Sequence, residues 1–343
     1  MKKTLYFIIC LIVVFSLCSC SKDEKAPEKE TNENLFSTTS EEETSEQESL
    51  FETDPTIIPA ESPTEIEVED FLLPFKNEPS VIMGEKNSSF ENGREPLEKV
   101  SYSAEESSSL SSKKISHSHG PASDGKAHHT VVAFQDTFDK YGALTLDRVS
   151  EEKVLYLTFD CGWEYNNLTS TVLDVLKEKK VTAAFFCTLD HIKKQGTLIN
   201  RMIEEGHIVG NHSTTHPSFA DISRTKMMKE IEETENYLRE NFGYCAKYFR
   251  FPAGEYTESA LELVSSLGYM SVFWSVAYND WNVDNIQGKD YAVKTVTERL
   301  HDGAVILLHS VSQDNAQALG EIIDIAREEG YVFKSLTEYG RNS

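Results

Sequence analysis

Val154-Leu155-Tyr156-Leu157-Thr158-Phe159 is a short run of apolar and β-favouring residues, and it stops at Asp160 and Cys161. A strand apolar on both faces belongs inside a parallel sheet covered by helices, not on a half-exposed antiparallel surface. An amphipathic stretch follows at 168–179, and a second apolar run begins at Thr182. The alternation continues to the end of the chain. It predicts strands at 154–159, 182–187, 207–210, 247–250, 270–275, 304–308 and 331–333. Helices are expected between them at 168–179, 197–205, 223–241, 258–267, 290–300 and 314–328. Several of these helices stop at a glycine (Gly206, Gly243, Gly268, Gly303, Gly330), as helix ends commonly do. Seven strands with helices between them favour an α/β fold, a distorted (β/α) barrel, over an open sheet.

The strand ends carry reactive side chains. Asp160 and Cys161 close the first strand, and Asn211 and His212 close the third. Arg250 ends the fourth, Asp280 and Trp281 follow the fifth, and His309 follows the sixth. In a parallel β/α barrel these carboxyl-terminal ends converge on one face, where active sites are built. His212 and His216, four apart, can present both imidazoles to one cation. Arg250 and Asp280 could equally form a structural ion pair, and His309 could be a satisfied strand-end histidine. Among the aromatics, Trp281 suits the apolar face of a sugar ring, whereas Trp274 lies inside a strand and reads as core. Cys187 ends the apolar run 183–187 and reads as a small core residue. His207 reads as structural, and His117, His119, His128 and His129 form a His-rich lead into the barrel.

The segments YLTFDCGWE (156–164), HSTTHP (212–217), FRFPAGEY (249–256), NDW (279–281) and ILLHS (306–310) together resemble the five ordered motifs of the NodB-type polysaccharide deacetylases, carbohydrate esterase family 4. The resemblance spans residues 153–336. Within that family, FDCGWEYN, VFWSVAYNDWNVD (272–284) and HSVSQDNAQAL (309–319) are most similar to the muramic-acid de-N-acetylase branch. The resemblance implies hydrolysis of N-acetyl groups on peptidoglycan amino sugars, with N-acetylmuramic acid as the expected target. It assigns Asp160 as general base and His309 as general acid; Arg250 pairs with the catalytic carboxylate and Asp280 tunes the histidine. Trp163, Pro252 and Trp281 are implied at the substrate, and His212 and His216 as ligands of a divalent metal, with Zn²⁺ expected. Such a cation would polarise the acetyl oxygen and lower the pKa of its water. Deacetylation of N-acetylglucosamine, in peptidoglycan or a chitooligosaccharide, and a catalytically inactive cell-wall-binding lipoprotein are the competing readings.

One position departs from the wider family. Its first motif reads Thr-Phe-Asp-Asp, with the second Asp a metal ligand, whereas Cys161 stands there in this chain. Cys161 would then join His212 and His216 on a softer metal such as Zn²⁺, or the two histidines would hold the metal with waters, or no metal would bind.

Outside the barrel the sequence has two further parts. Lys2 and Lys3 precede an apolar run that ends in Leu17-Cys18-Ser19-Cys20, too short to span a bilayer and shaped as a secretory signal. Leu-x-Ser-Cys looks like a lipobox, with Cys20 as the lipidated residue; an uncleaved anchor or an ordinary cleaved signal are the alternatives. Residues 21–116 hold 24 Asp/Glu, 9 Lys/Arg and 24 Ser/Thr, too little apolar surface for a core. The expected organisation is a lipoprotein signal peptide at 1–20, an acidic disordered linker at 21–116 and a deacetylase domain at 117–343. This places the protein on the outer face of the cytoplasmic membrane, held by a lipid anchor and acting on an acetylated glycan as a monomer. The net charge of −24 and the lack of a basic stripe exclude nucleic acid as partner. Past Cys20 only Cys161, Cys187 and Cys245 remain, which is no disulfide framework.

Overall fold

The computed structural model describes residues 109–117, 120–122 and 124–341. The leader with Cys20, the linker up to residue 108 and His119 lie outside the described residues. In chain order the elements are β1 (Ile115–Ser116), α1 (His129–Val132), α2 (Gln135–Lys140), β2 (Val154–Cys161), α3 (Leu168–Lys179), β3 (Ala184–Cys187), α4 (Leu189–Lys194), α5 (Gly196–Glu204) and β4 (Ile208–Asn211). They continue with α6 (Arg224–Phe242), β5 (Tyr248–Phe249), β6 (Glu255–Tyr256), α7 (Glu258–Ser266), β7 (Met270–Ser271), α8 (Lys289–Thr297), β8 (Ala304–His309), α9 (Gln313–Glu328) and β9 (Val332–Phe333). Each of the seven expected strands is present. They form one all-parallel curled sheet in the order β7-β5-β4-β3-β2-β8, with β9 against β2.

β2 is buried along its whole length and pairs with three strands, β3, β8 and β9. It pairs with β3 from Thr158↔Ala184 to Cys161↔Cys187, and with β8 from Leu155↔Ala304 to Asp160↔His309. Side chains alternate across a strand, so each strand divides its residues between two layers. Val154 and Tyr156 pack inward with Ala184, Phe186, Ile208, Tyr248 and Val305. Leu155, Leu157, Phe159 and Cys161 face the opposite way, in the large cluster that also holds Val172, Leu173 and Leu176 of α3. Asp160 shares the parity of Val154 and Tyr156 and stands at the top of the inner layer.

β7 is shorter than the expected 270–275 because the chain leaves the strand after Ser271 to close the barrel. Val272 bridges to Leu144, and Val276 bridges to Ile306 of β8. The Leu307 N–H then donates to the Val276 carbonyl at 2.9 Å. At the other boundary, Ile115–Ser116, read from sequence as linker, pairs antiparallel with Glu255–Tyr256. The folded part therefore begins ahead of residue 117. α6 illustrates how the sequence sets its limits. The Ser223 hydroxyl accepts the Lys226 N–H at the start, and Gly243 at φ 59° closes the end in a left-handed conformation that glycine adopts without steric cost. No helix among the described residues is long and apolar enough to cross a membrane.

Candidate active site

The carboxyl-terminal ends of the strands open into a cleft of about 730 Å³. Asp160, His212, His216, Trp163, Trp281 and His309 all line it. With Ala253, which also lines it, five segments distant in sequence are brought to one mouth.

Asp160 and Arg250 form the floor. Arg250 is fully buried, and its Nη1 donates to Asp160 Oδ1 at 2.8 Å. The rest of the guanidinium is satisfied as well: Nη2 donates to Thr158 Oγ1 at 2.9 Å and Nε to the Val272 carbonyl at 3.0 Å. Its plane lies 4.1 Å from the Phe186 ring. With one carboxylate oxygen engaged, Asp160 Oδ2 is left facing His212 Nε2 at 3.5 Å. Burial alone would favour the neutral acid. The charge of Arg250 and its hydrogen bond lead the influences that outweigh it and hold the carboxyl below the usual carboxylate range.

His212 and His216 come from the turn that follows β4. His212 Nδ1 sits 2.8 Å from the Arg250 carbonyl, which fixes the tautomer and leaves Nε2 toward the cleft. The turn is tightly wound, with Ser213 at φ 68° and His216 at φ 57°. Its backbone is pinned by the Ser213 N–H to Asn211 Oδ1 and by the His216 N–H to Ser213 Oγ. Thr215 donates from both its N–H and its hydroxyl to the buried Glu230 of α6. The two rings stand edge to face, 4.7 Å apart. Burial pushes the His212 pKa down to about 4 and that of His216 in the same direction, so both rings are neutral and free to ligate. Two neutral imidazoles beside a carboxylate oxygen form the donor set that zinc and similar divalent ions take. The residues present fit such an ion.

His309 approaches from the other wall. Its Nδ1 lies 2.7 Å from Asp280 Oδ1, and its own N–H donates to Asp280 Oδ2 at 2.8 Å. Burial opposes a charged ring here, but the Asp280 charge and hydrogen bond prevail and raise the His309 pKa above its ordinary value. Sequence reasoning missed one partner of this pair and the residue that holds that partner. Asn315, on the first turn of α9, donates from Nδ2 to Asp280 Oδ2, and Tyr278 donates its hydroxyl to Asn315 Oδ1 at 2.6 Å. The available signal was the position of Asn315, six residues after His309, with Ser312 between them as an N-cap.

Trp163 and Trp281 are 46% and 59% exposed, so two large indole faces stand open at the cleft. Two expected site residues are placed elsewhere. Pro252 is buried in the 3₁₀ turn Pro252–Gly254, and its neighbour Ala253 lines the cleft instead. Cys161 does not accompany His212 and His216. β2 remains a strand through residue 161, so the thiol points to the helix side, opposite Asp160. There Cys161 Sγ lies 3.2 Å from Ser310 Oγ. Trp274 and His207 are buried, although β7 ends before the first and β4 begins after the second, and Trp274 also lines the cleft.

A curled parallel sheet with a carboxylate–arginine pair facing a histidine–aspartate pair across an open cleft can supply a base and an acid to one substrate. Comparison with known proteins narrows this. The family model described as polysaccharide deacetylase matches residues 147–272. The peptidoglycan-N-acetylmuramic acid deacetylase PdaA of Bacillus subtilis is 40% identical over 226 residues, 66% of this chain and 83% of that protein. A peptidoglycan-N-acetylglucosamine deacetylase of Bacillus cereus is 33% identical over 188 residues, 52% of this chain and 66% of its own length. The solved structure of Bacillus subtilis PdaA, a family 4 carbohydrate esterase, superposes with a TM-score of 0.64 at 37% identity, over 67% of this chain and 98% of that one. The chain belongs to the polysaccharide deacetylase family, carbohydrate esterase family 4, and is a hydrolase of that class.

Proposed function

We propose that this protein removes N-acetyl groups from N-acetylmuramic acid in peptidoglycan, working outside the cytoplasmic membrane as a lipoprotein anchored through Cys20. The observation that carries the chemistry is the opposed pair of groups in complementary protonation states. Asp160 is held ionised and His309 is biased toward its charged form. The likeness to a muramic acid deacetylase over most of that protein's length favours this sugar over N-acetylglucosamine.

The acetamide is hydrolysed in two proton movements. Water adds to the acetyl carbon while Asp160 Oδ2, the oxygen not engaged by Arg250, accepts its proton. His309, with Nδ1 held by Asp280, then donates from Nε2 to the departing nitrogen, leaving acetate and a free glycan amine. A divalent cation held by His212 and His216, with Zn²⁺ the expected ion, would polarise the acetyl oxygen and acidify the attacking water. Trp163 and Trp281 offer aromatic faces on which sugar rings on either side of the target can rest.

Incubating the full chain with purified peptidoglycan should release acetate, and chelation should abolish the release. Mass shifts on defined muropeptides should place the lost acetyl on muramic acid. A shift on glucosamine would redirect the substrate. Failure to release acetate from intact, peptide-stripped or metal-supplemented glycan would leave the cell-wall-binding reading.

The His309–Asp280 pair also fixes a pH dependence. A general acid with a raised pKa works below that pKa, and activity falls as pH rises through it. In Asp280→Asn the charge that raises it is gone while burial still lowers it. The alkaline limb of the kcat/KM profile should therefore move to lower pH. An unmoved limb would show that His309 does not set it.

A further inference from the structure

Behind the catalytic floor lies a second group of ligating side chains that the deacetylation chemistry leaves unused. Cys161 of β2 and Cys187 of β3 are paired in register at the ends of two neighbouring strands. His191, on the first turn of α4, lies four residues beyond Cys187, and all three residues are fully buried. The two sulfurs and a His191 ring nitrogen lie within 4.8 Å of one another. Cys161 and Cys187 share the parity that faces the helices, so the cluster sits on the opposite side of β2 from Asp160.

As plain core, this arrangement is expensive. Neither ring nitrogen of His191 makes a hydrogen bond of normal geometry, although the Trp163 backbone approaches the ring. A buried polar group without a partner costs roughly 1–3 kcal/mol. Burial lowers the His191 pKa to about 4, so the imidazole is neutral and keeps a lone pair available for a metal. Cys161 is supported as a ligand too. Thr169 Oγ1 donates to Ser310 Oγ at 3.0 Å, which frees the Ser310 hydroxyl proton for Cys161 Sγ at 3.2 Å. Hydrogen-bonded partners of this kind orient and stabilise ligating thiolates.

We propose that Cys161, Cys187 and His191 form a buried zinc site, distinct from the cleft, that fastens β2, β3 and α4 together beneath Asp160. Charge selects the ion. Two thiolates and a neutral imidazole around Zn²⁺ sum to zero, the only net charge that an apolar interior accepts cheaply. Soft sulfur ligands with imidazole suit zinc and exclude calcium or magnesium. A disulfide between the two cysteines would leave His191 without a partner, and the metal accounts for all three residues.

The test begins from the full chain carrying His212→Ala and His216→Ala, which removes the ligands at the cleft. Elemental analysis should still find one zinc per chain, and adding Cys187→Ala or His191→Phe should bring it to none. No zinc in the cleft-deficient protein would overturn the proposal. So would a Cys161–Cys187 disulfide found by alkylation and mass measurement under denaturing, non-reducing conditions. Should the added substitutions prevent folding, cobalt exchange into the cleft-deficient protein decides. A thiolate-to-cobalt charge-transfer band is expected, and its absence refutes the site.

Discussion

Replacing Asp160 by Asn is expected to lower kcat for acetate release by about 10²–10⁴-fold, the usual consequence of removing a general base. The substitution is close to isosteric, and Asn can still accept the Arg250 Nη1 hydrogen bond now made to Oδ1. What it removes is a charged oxygen able to take a proton from water. KM should change far less than kcat, because the indoles that would hold the glycan stand at the rim and not at Asp160. A purely structural ion pair with Arg250 makes the opposite forecast: weakened stability with turnover preserved. Single-turnover acetate release by correctly folded Asp160→Asn separates the two, and near-normal turnover removes Asp160 from the chemistry.

The sequence was most informative where strand periodicity and side-chain chemistry coincided. The run 154–159 ending in Asp160 located both the longest buried strand and the floor of the site, because the carboxyl-terminal ends of parallel strands converge on the mouth. His212, His216, Arg250 and His309 were legible for the same reason. Two kinds of information were not. One is where a strand stops. The strand is expected at 154–159 with Asp160 and Cys161 beyond it, but β2 continues through both, and the alternation turns the thiol from the cleft to the helix layer. Pro252 shows the same sensitivity, since a tight turn presents Ala253 instead. The other is partnership across distance. Asn315 binds Asp280, and His191 comes beside Cys161, through folding that no local spacing encodes. Asn315 and His191 sit on first helical turns just after strands, where a cap residue (Ser312 or Thr188) sets the direction of the helix.

Arg250→Met should be the most destabilising single change in the barrel, costing about 3–5 kcal/mol, the range for breaking a buried pair by removing one partner. Arg250 is fully buried and Asp160 only 8% exposed, so solvent cannot replace the lost guanidinium. Methionine fills much of the space against Phe186 but offers nothing to Thr158, to the Val272 carbonyl or to the carboxylate. The loss should carry a pH signature of definite sign. In the native protein the Asp160 pKa is lowered on folding, so its contribution is present above the unfolded value and lost as pH falls through the folded one. Without Arg250, burial, already the largest single influence, loses its main opposition and drives the pKa upward. Asp160 then favours folding only when protonated, and that contribution disappears as pH rises. The gap in stability between native protein and Arg250→Met should accordingly narrow in acid and widen toward neutral pH in denaturant titrations. Asp160→Asn combined with Arg250→Met should recover a large part of the loss, since no uncompensated charge remains. A double variant as unstable as the single one, with no pH dependence in either, would mean that the guanidinium serves as packing and that the carboxylate does not depend on it.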